Sequence, residues 1–159
     1  MGMAGFAVDT IEDVQSEIVR AGYAYWLAGK GERTLPLRGD FDPLIEIPRL
    51  VPNIIVFDVL EEPLDFVYRL IGTKVRTHLM QDLTGARMSN IEFQRPPSVI
   101  WSHHVWVVEN AAPRFMRPPY VGPHKDFLFI EAVILPCGSG IHVDKLIVFV
   151  DFIRALQPR

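Results

Sequence analysis

The sequence predicts an α+β fold: one antiparallel sheet with helices packed on one face. Two observations predict it. The elements run in the order helix, two strands, short helices, a longer helix, then three strands. The strands do not alternate with crossover helices, which a parallel sheet needs between neighbouring strands.

The first element is a helix over Asp9–Leu27. Ile11, Val14, Ile18, Ala21, Tyr25 and Ala28 recur at steps of three and four, an amphipathic helical pattern. Asp9 with Glu12 resembles a capping box, and Gly29 and Gly31 stop the helix. The same stripe follows heptad spacing, so Ile11, Val14, Ile18, Ala21 and Tyr25 are also the candidate seam of a homodimer. Next comes a proline-punctuated segment, with Leu35-Pro36, Asp42-Pro43, Ile47-Pro48 and Val51-Pro52. Each residue before a proline is pushed away from helical backbone.

Asn53–Leu60 is β-branched and aromatic and reads as a buried strand. Glu61-Glu62-Pro63 turns the chain into a second strand, Asp65–Ile71, with Phe66, Tyr68 and Leu70 on one face. Gly72–Met80 is a short helical stretch, and Ala86–Pro97 is irregular and polar. Ser98 caps the longer helix, Ser98–Ala111, whose continuation Pro113 prevents. A short strand over Arg114–Tyr120 precedes two long apolar runs, Lys125–Leu135 and Lys145–Ile153. The turn between those runs contains Pro136-Cys137-Gly138-Ser139-Gly140.

With 159 residues, 49% apolar and 22% charged, the chain is long enough for one domain with a sizeable core. A net charge of −3 with scattered Lys and Arg excludes the basic patch of a nucleic-acid binder. Its one cysteine, Cys137, forms no internal disulfide and no zinc site. The start of the chain lacks the pattern of a signal peptide, and its apolar runs are too short to span a bilayer. The expectation is a cytoplasmic protein without membrane partners.

Several short motifs in order resemble a known family. Leu35-Pro36-Leu37-Arg38-Gly39-Asp40-Phe41-Asp42-Pro43, Ile47-Pro48-Arg49-Leu50-Val51-Pro52 and Asn53–Asp58 come first. Phe66–Thr73, Asp82-Leu83-Thr84-Gly85 and Val107–Pro113 follow. Together they resemble the PAS-like domains of short stand-alone alphaproteobacterial proteins. The resemblance implies a PAS fold, a five-stranded antiparallel sheet in the order 2-1-5-4-3. It places a helical extension at residues 1–31 before a PAS-like domain at 32–159. It also implies a regulatory domain that binds a small molecule or a signalling protein. With no output domain attached, such a domain would signal through association.

Apolar walls with a few polar tips mark a small-molecule site. The candidate pocket residues are Tyr68 and Leu70 from the second strand, His103, Trp106 and Val107 from the helix, and Phe129 from the fourth strand. His103 and His104 are weak candidates for a haem ligand, because some PAS domains carry theirs on this helix. The competing reading places one histidine in the core and the other in solvent. Flavin photochemistry needs a cysteine near the helical lid, and Cys137 sits instead in a turn, where its thiol could be exposed. Arg38, Asp40, Asp42, Arg49, Asp58 and Arg69 alternate in sign and read as turn, capping and ion-pairing residues. No nucleophile or phosphate-loop motif is present, so an enzyme is not expected. The alternative is a small cone-shaped α+β isomerase or hydratase that uses a cavity histidine paired with an aspartate.

Overall fold

The computed structural model describes residues 11–37, 42–118, 120, 122, 123 and 126–154. The expected cap at Asp9 and the expected turn residues Arg38 and Asp40 lie outside them.

Five strands form one antiparallel sheet: β1 (Ile54–Glu61), β2 (Leu64–Ile71), β3 (Arg114–Met116), β4 (Phe127–Ser139) and β5 (His142–Arg154). Their order is β2-β1-β5-β4-β3, as the resemblance implies. Four α-helices accompany them: α1 (Glu17–Lys30), α2 (Pro43–Glu46), α3 (Thr73–Leu79) and α4 (Val99–Asn110).

The sheet is covered on both faces, and this explains the apolar runs of the last third. Along β5, Leu146, Val148, Val150 and Phe152 join the inner core beneath α3 and α4. Ile147 and Phe149 join the outer core beneath α1. A strand buried on both faces loses the polar–apolar alternation of a half-exposed one.

Helix α1 starts later than its periodicity suggests. Residues Ile11–Asp13 form a separate 3-10 turn, and Ser16 caps α1 by accepting the Val19 N–H at 3.1 Å. The cause is Glu131, which is 1% exposed on β4. Its carboxylate accepts the backbone N–H groups of Gln15 at 3.0 Å and Ser16 at 2.7 Å. Those donors are fixed to the sheet, so the helix begins after them. Gly29 is tolerated inside α1, and Gly31, at φ +56°, ends it. Midway along, Gly22 lies against Phe149 so closely that a Cβ there would overlap the ring. Trp26 completes the contact by donating its indole N–H to the Pro136 carbonyl at 2.8 Å.

Two expectations about strands change. The register between β1 and β2 shifts, with Val56 opposite Leu70 but Phe57 opposite Tyr68. Arg69 is therefore an extra, bulged residue, and side-chain parity reverses across it. Tyr68 faces the inner core and Leu70 the outer one. Exposed Arg69 pairs with Asp58. In addition, the expected turn at Pro136–Gly140 is mostly strand. β4 continues to Ser139, and the chain reverses at Gly140-Ile141. Pro136 is accommodated because β3 pairs no further than Ile134, which leaves β4 with a partner strand on one side only. The thiol of Cys137 is accordingly buried in the outer core, not exposed, and burial pushes its pKa up to about 12.

Candidate functional site

The inner face of the sheet forms the floor of a partly open cavity of about 270 Å³. Its floor comes from β1, β4 and β5, through Phe57, Ala132, Val148 and Val150. Its roof comes from Val75 and Leu79 of α3 and from Ile100 and His104 of α4. The register explains the apolar floor, because alternate residues of two-sidedly buried strands all point inward here. α4 takes its place because Ser98 caps it, accepting the Trp101 N–H at 3.0 Å. Met80 and Phe93, 74% and 55% exposed, form an apolar lip at the mouth.

A segment expected to be irregular and polar supplies part of the wall. Its backbone pairs with the edge of β2, the Tyr68 N–H donating to the Ala86 carbonyl at 3.0 Å. Buried Asp65 then accepts the Ser89 N–H at 3.2 Å and also the Ser89 hydroxyl. This tether brings Met88 and Ile91 into the inner core and Gln94 to the cavity.

Five polar side chains punctuate the apolar lining among the described residues. Tyr68 donates its hydroxyl to Gln94 Oε1 at 2.7 Å, and burial raises the phenol's pKa well above its ordinary value. His104 contacts the Ile100 carbonyl through Nδ1 at 2.8 Å. A carbonyl only accepts, so Nδ1 carries the proton and neutral His104 keeps a lone pair on Nε2. Burial lowers the His104 pKa to about 4, and the ring sits edge-on to Phe57. Near the mouth, His78 stacks on Phe152 and its Nδ1 lies 2.8 Å from the Tyr120 hydroxyl.

Of the residues expected in the pocket, Tyr68 lines the cavity. Leu70 and Phe129 do not: the bulge turns Leu70 outward, and Phe129 lies under the Arg117 guanidinium, in phase with outer-facing Glu131. Val107 is buried in the inner core away from the void. His103 and Trp106 meet Arg114 instead. Arg114 Nε donates to His103 Nδ1 at 3.2 Å, and its guanidinium covers the Trp106 ring. Burial, then the Arg114 charge, lowers the His103 pKa. The missed residues are Gln94, His78 and Tyr120, and no local signal in the sequence marks them, because long-range packing places them.

His103 lies outside the cavity, and no cationic side chain among the described lining residues would meet a haem's carboxylates. No carboxylate among them pairs with His104 either, as the isomerase or hydratase alternative would need. No cluster of metal-ligating side chains occurs among the described residues. Cys137 lies behind the sheet, away from the cavity.

The outer face is organised around Glu131. Arg117 donates to Glu131 Oε2 from Nε at 3.1 Å and from a terminal nitrogen at 2.7 Å, and also reaches the Asp13 carbonyl. Ser16 donates its hydroxyl to Asp151 at 2.6 Å. Ile11, Val14, Ile18, Ala21 and Tyr25, the candidate seam, all pack toward this outer core.

A family model described as a PAS domain matches residues 14–113. The chain belongs to the PAS domain family. No curated protein and no solved structure matches it. As a PAS domain it is a sensory or regulatory module in general terms, and its fold is the one this family builds. The match begins at Val14, three residues before α1, and ends at Pro113, just before β3. No helix among the described residues is long and apolar enough to cross a membrane.

Proposed function

We propose that this PAS domain is a small-ligand sensor whose occupied cavity changes how α1 docks on the opposite face of the sheet. One observation carries the reading. Met116 and Pro118 line the cavity, and Arg117 between them holds Glu131 and the Asp13 carbonyl on the outer face. A ligand that displaces residues 116–118 therefore acts on the ion pair that fixes the start of α1. Breaking the pair leaves the buried Glu131 carboxylate with only its backbone N–H donors, which costs about 3 kcal/mol. That is enough to shift a docking equilibrium by two orders of magnitude.

Release of α1 would expose the stripe of Val14, Ile18, Ala21 and Tyr25 together with Phe149 and Leu135 beneath it. Association with a signalling protein or a second copy then becomes the output. While α1 is docked, Val19, Gly22 and Trp26 face the sheet and the seam residues Ile18, Ala21 and Tyr25 are half-buried beside them. A homodimer through these residues belongs to the released state.

Hydrogen exchange tests the proposal. Arg117→Met should raise exchange at the α1 amides at least tenfold and leave the β1–β2 hairpin unchanged. Ile100→Trp, which fills the cavity from the α4 side, should also alter α1 exchange without touching α1. Indifference of α1 to Ile100→Trp would show that the two faces are not coupled.

A further inference from the structure

The lining of the cavity specifies a chemical class of ligand. Among the described residues lining it there is no Asp, Glu, Lys or Arg. An ionised ligand would therefore lose its hydration without gaining a counter-charge, which is prohibitive in an apolar enclosure. The walls are aromatic and aliphatic, and the lip of Met80 and Phe93 offers an apolar path inward.

Two polar side chains at this wall each keep one end without a protein partner. His104 is 3% exposed and Gln94 is 4% exposed. Each uses one end of its side chain: His104 Nδ1 binds the Ile100 carbonyl, and Gln94 Oε1 accepts from Tyr68. Among the described residues, His104 Nε2 and the Gln94 amide nitrogen have no hydrogen-bond partner. The first accepts and the second donates. An acceptor and a donor on an otherwise apolar pocket wall are the few polar contacts that orient a bound molecule.

Size narrows the class. A dry apolar cavity of about 150 Å³ accepts benzene. The void here is about 270 Å³, which suits two fused rings. We propose that the cavity binds an uncharged, flat, one- or two-ring aromatic molecule carrying a hydroxyl group. The hydroxyl donates to His104 Nε2 and accepts from the Gln94 amide. This rests on the reading of the cavity as the sensor's site, and names what it senses.

Three probes of matched shape test it by calorimetry on the full chain: 2-naphthol, naphthalene and 2-naphthoate. Naphthol should bind about tenfold more tightly than naphthalene, the contribution of the added hydrogen bonds. Naphthoate should bind at least about a hundredfold more weakly than naphthol. Ile100→Trp, or Ala132→Leu if that variant does not fold, should abolish naphthol binding. Gln94→Met should reduce the preference for naphthol and keep naphthalene binding. Naphthoate binding as tightly as naphthol, both lost in Ile100→Trp, would overturn the proposed class while keeping the cavity as a site. Naphthol binding that survives both filling variants, or no binding by any probe, would overturn the site. Tight naphthol binding with unchanged α1 exchange would keep this inference and overturn the coupling between the faces.

Discussion

The two faces of the sheet are built from the same strands and packed to different standards. On the outer face α1 approaches until Gly22 touches the Phe149 ring, and Trp26 locks onto the Pro136 carbonyl. On the inner face, alternate residues of the same β4 and β5 leave a void of about 270 Å³. Close packing contributes stability, because every missing contact is forfeited. A void forgoes that contribution and makes room for something else. The outer face is therefore the more closely packed, and the inner face holds the void.

Substitutions can break this contrast. The largest effect is expected from Phe149→Ala, which removes the ring at the centre of the outer core. Urea titration should show a loss of about 4 kcal/mol.

Acid should act through the other face. His104 titrates at about 4 in the folded protein, below its ordinary value of 6.5, because burial disfavours the charged ring. Above pH 6.5 both folded and unfolded states are neutral at this ring, and its burial costs nothing in protonation. As the pH falls from 6.5 toward 4, the unfolded chain takes up the proton first, so stability falls with it. The loss across that window is roughly 3 kcal/mol. His103, shifted in the same direction, adds to it. Thermal melts at pH 7, 5.5 and 4.5 should show the decline, and His104→Gln should flatten it.

The smallest pair of effects sharpens the comparison most. Adding one methyl group in Gly22→Ala should cost about 2 kcal/mol through overlap with Phe149. Adding two in Ala132→Val, where the side chain meets the cavity, should change stability by less than about 1 kcal/mol. Equal costs at the two positions would show that the faces are equally packed.

Much of the fold was legible in the sequence because local rules dominate it. Ser98 caps α4, Pro113 follows its end, and the apolar runs became β4 and β5. The motif order from Leu35 to Pro113 implied the sheet order found. The site was less legible, for reasons of parity and distance. A single bulged residue, Arg69, turns Leu70 away from Tyr68, and strand alternation read from sequence has no means of anticipating it. Gln94 reaches the cavity because Asp65 tethers Ser89, a contact across 24 positions. Glu131 carries a signal in the sequence itself. A lone carboxylate inside an apolar strand needs partners, and it finds them in Arg117 and the backbone ahead of α1.

The position of Cys137 gives the chain a chemical clock. Its thiol is 4% exposed and sits in the outer core, with its pKa near 12 by burial, so the docked protein offers little thiolate to an alkylating reagent. Reaction requires the outer face to open. The rate at which iodoacetamide consumes this one thiol therefore measures how often the outer core opens around it, on a timescale that static occupancy of the cavity does not reveal.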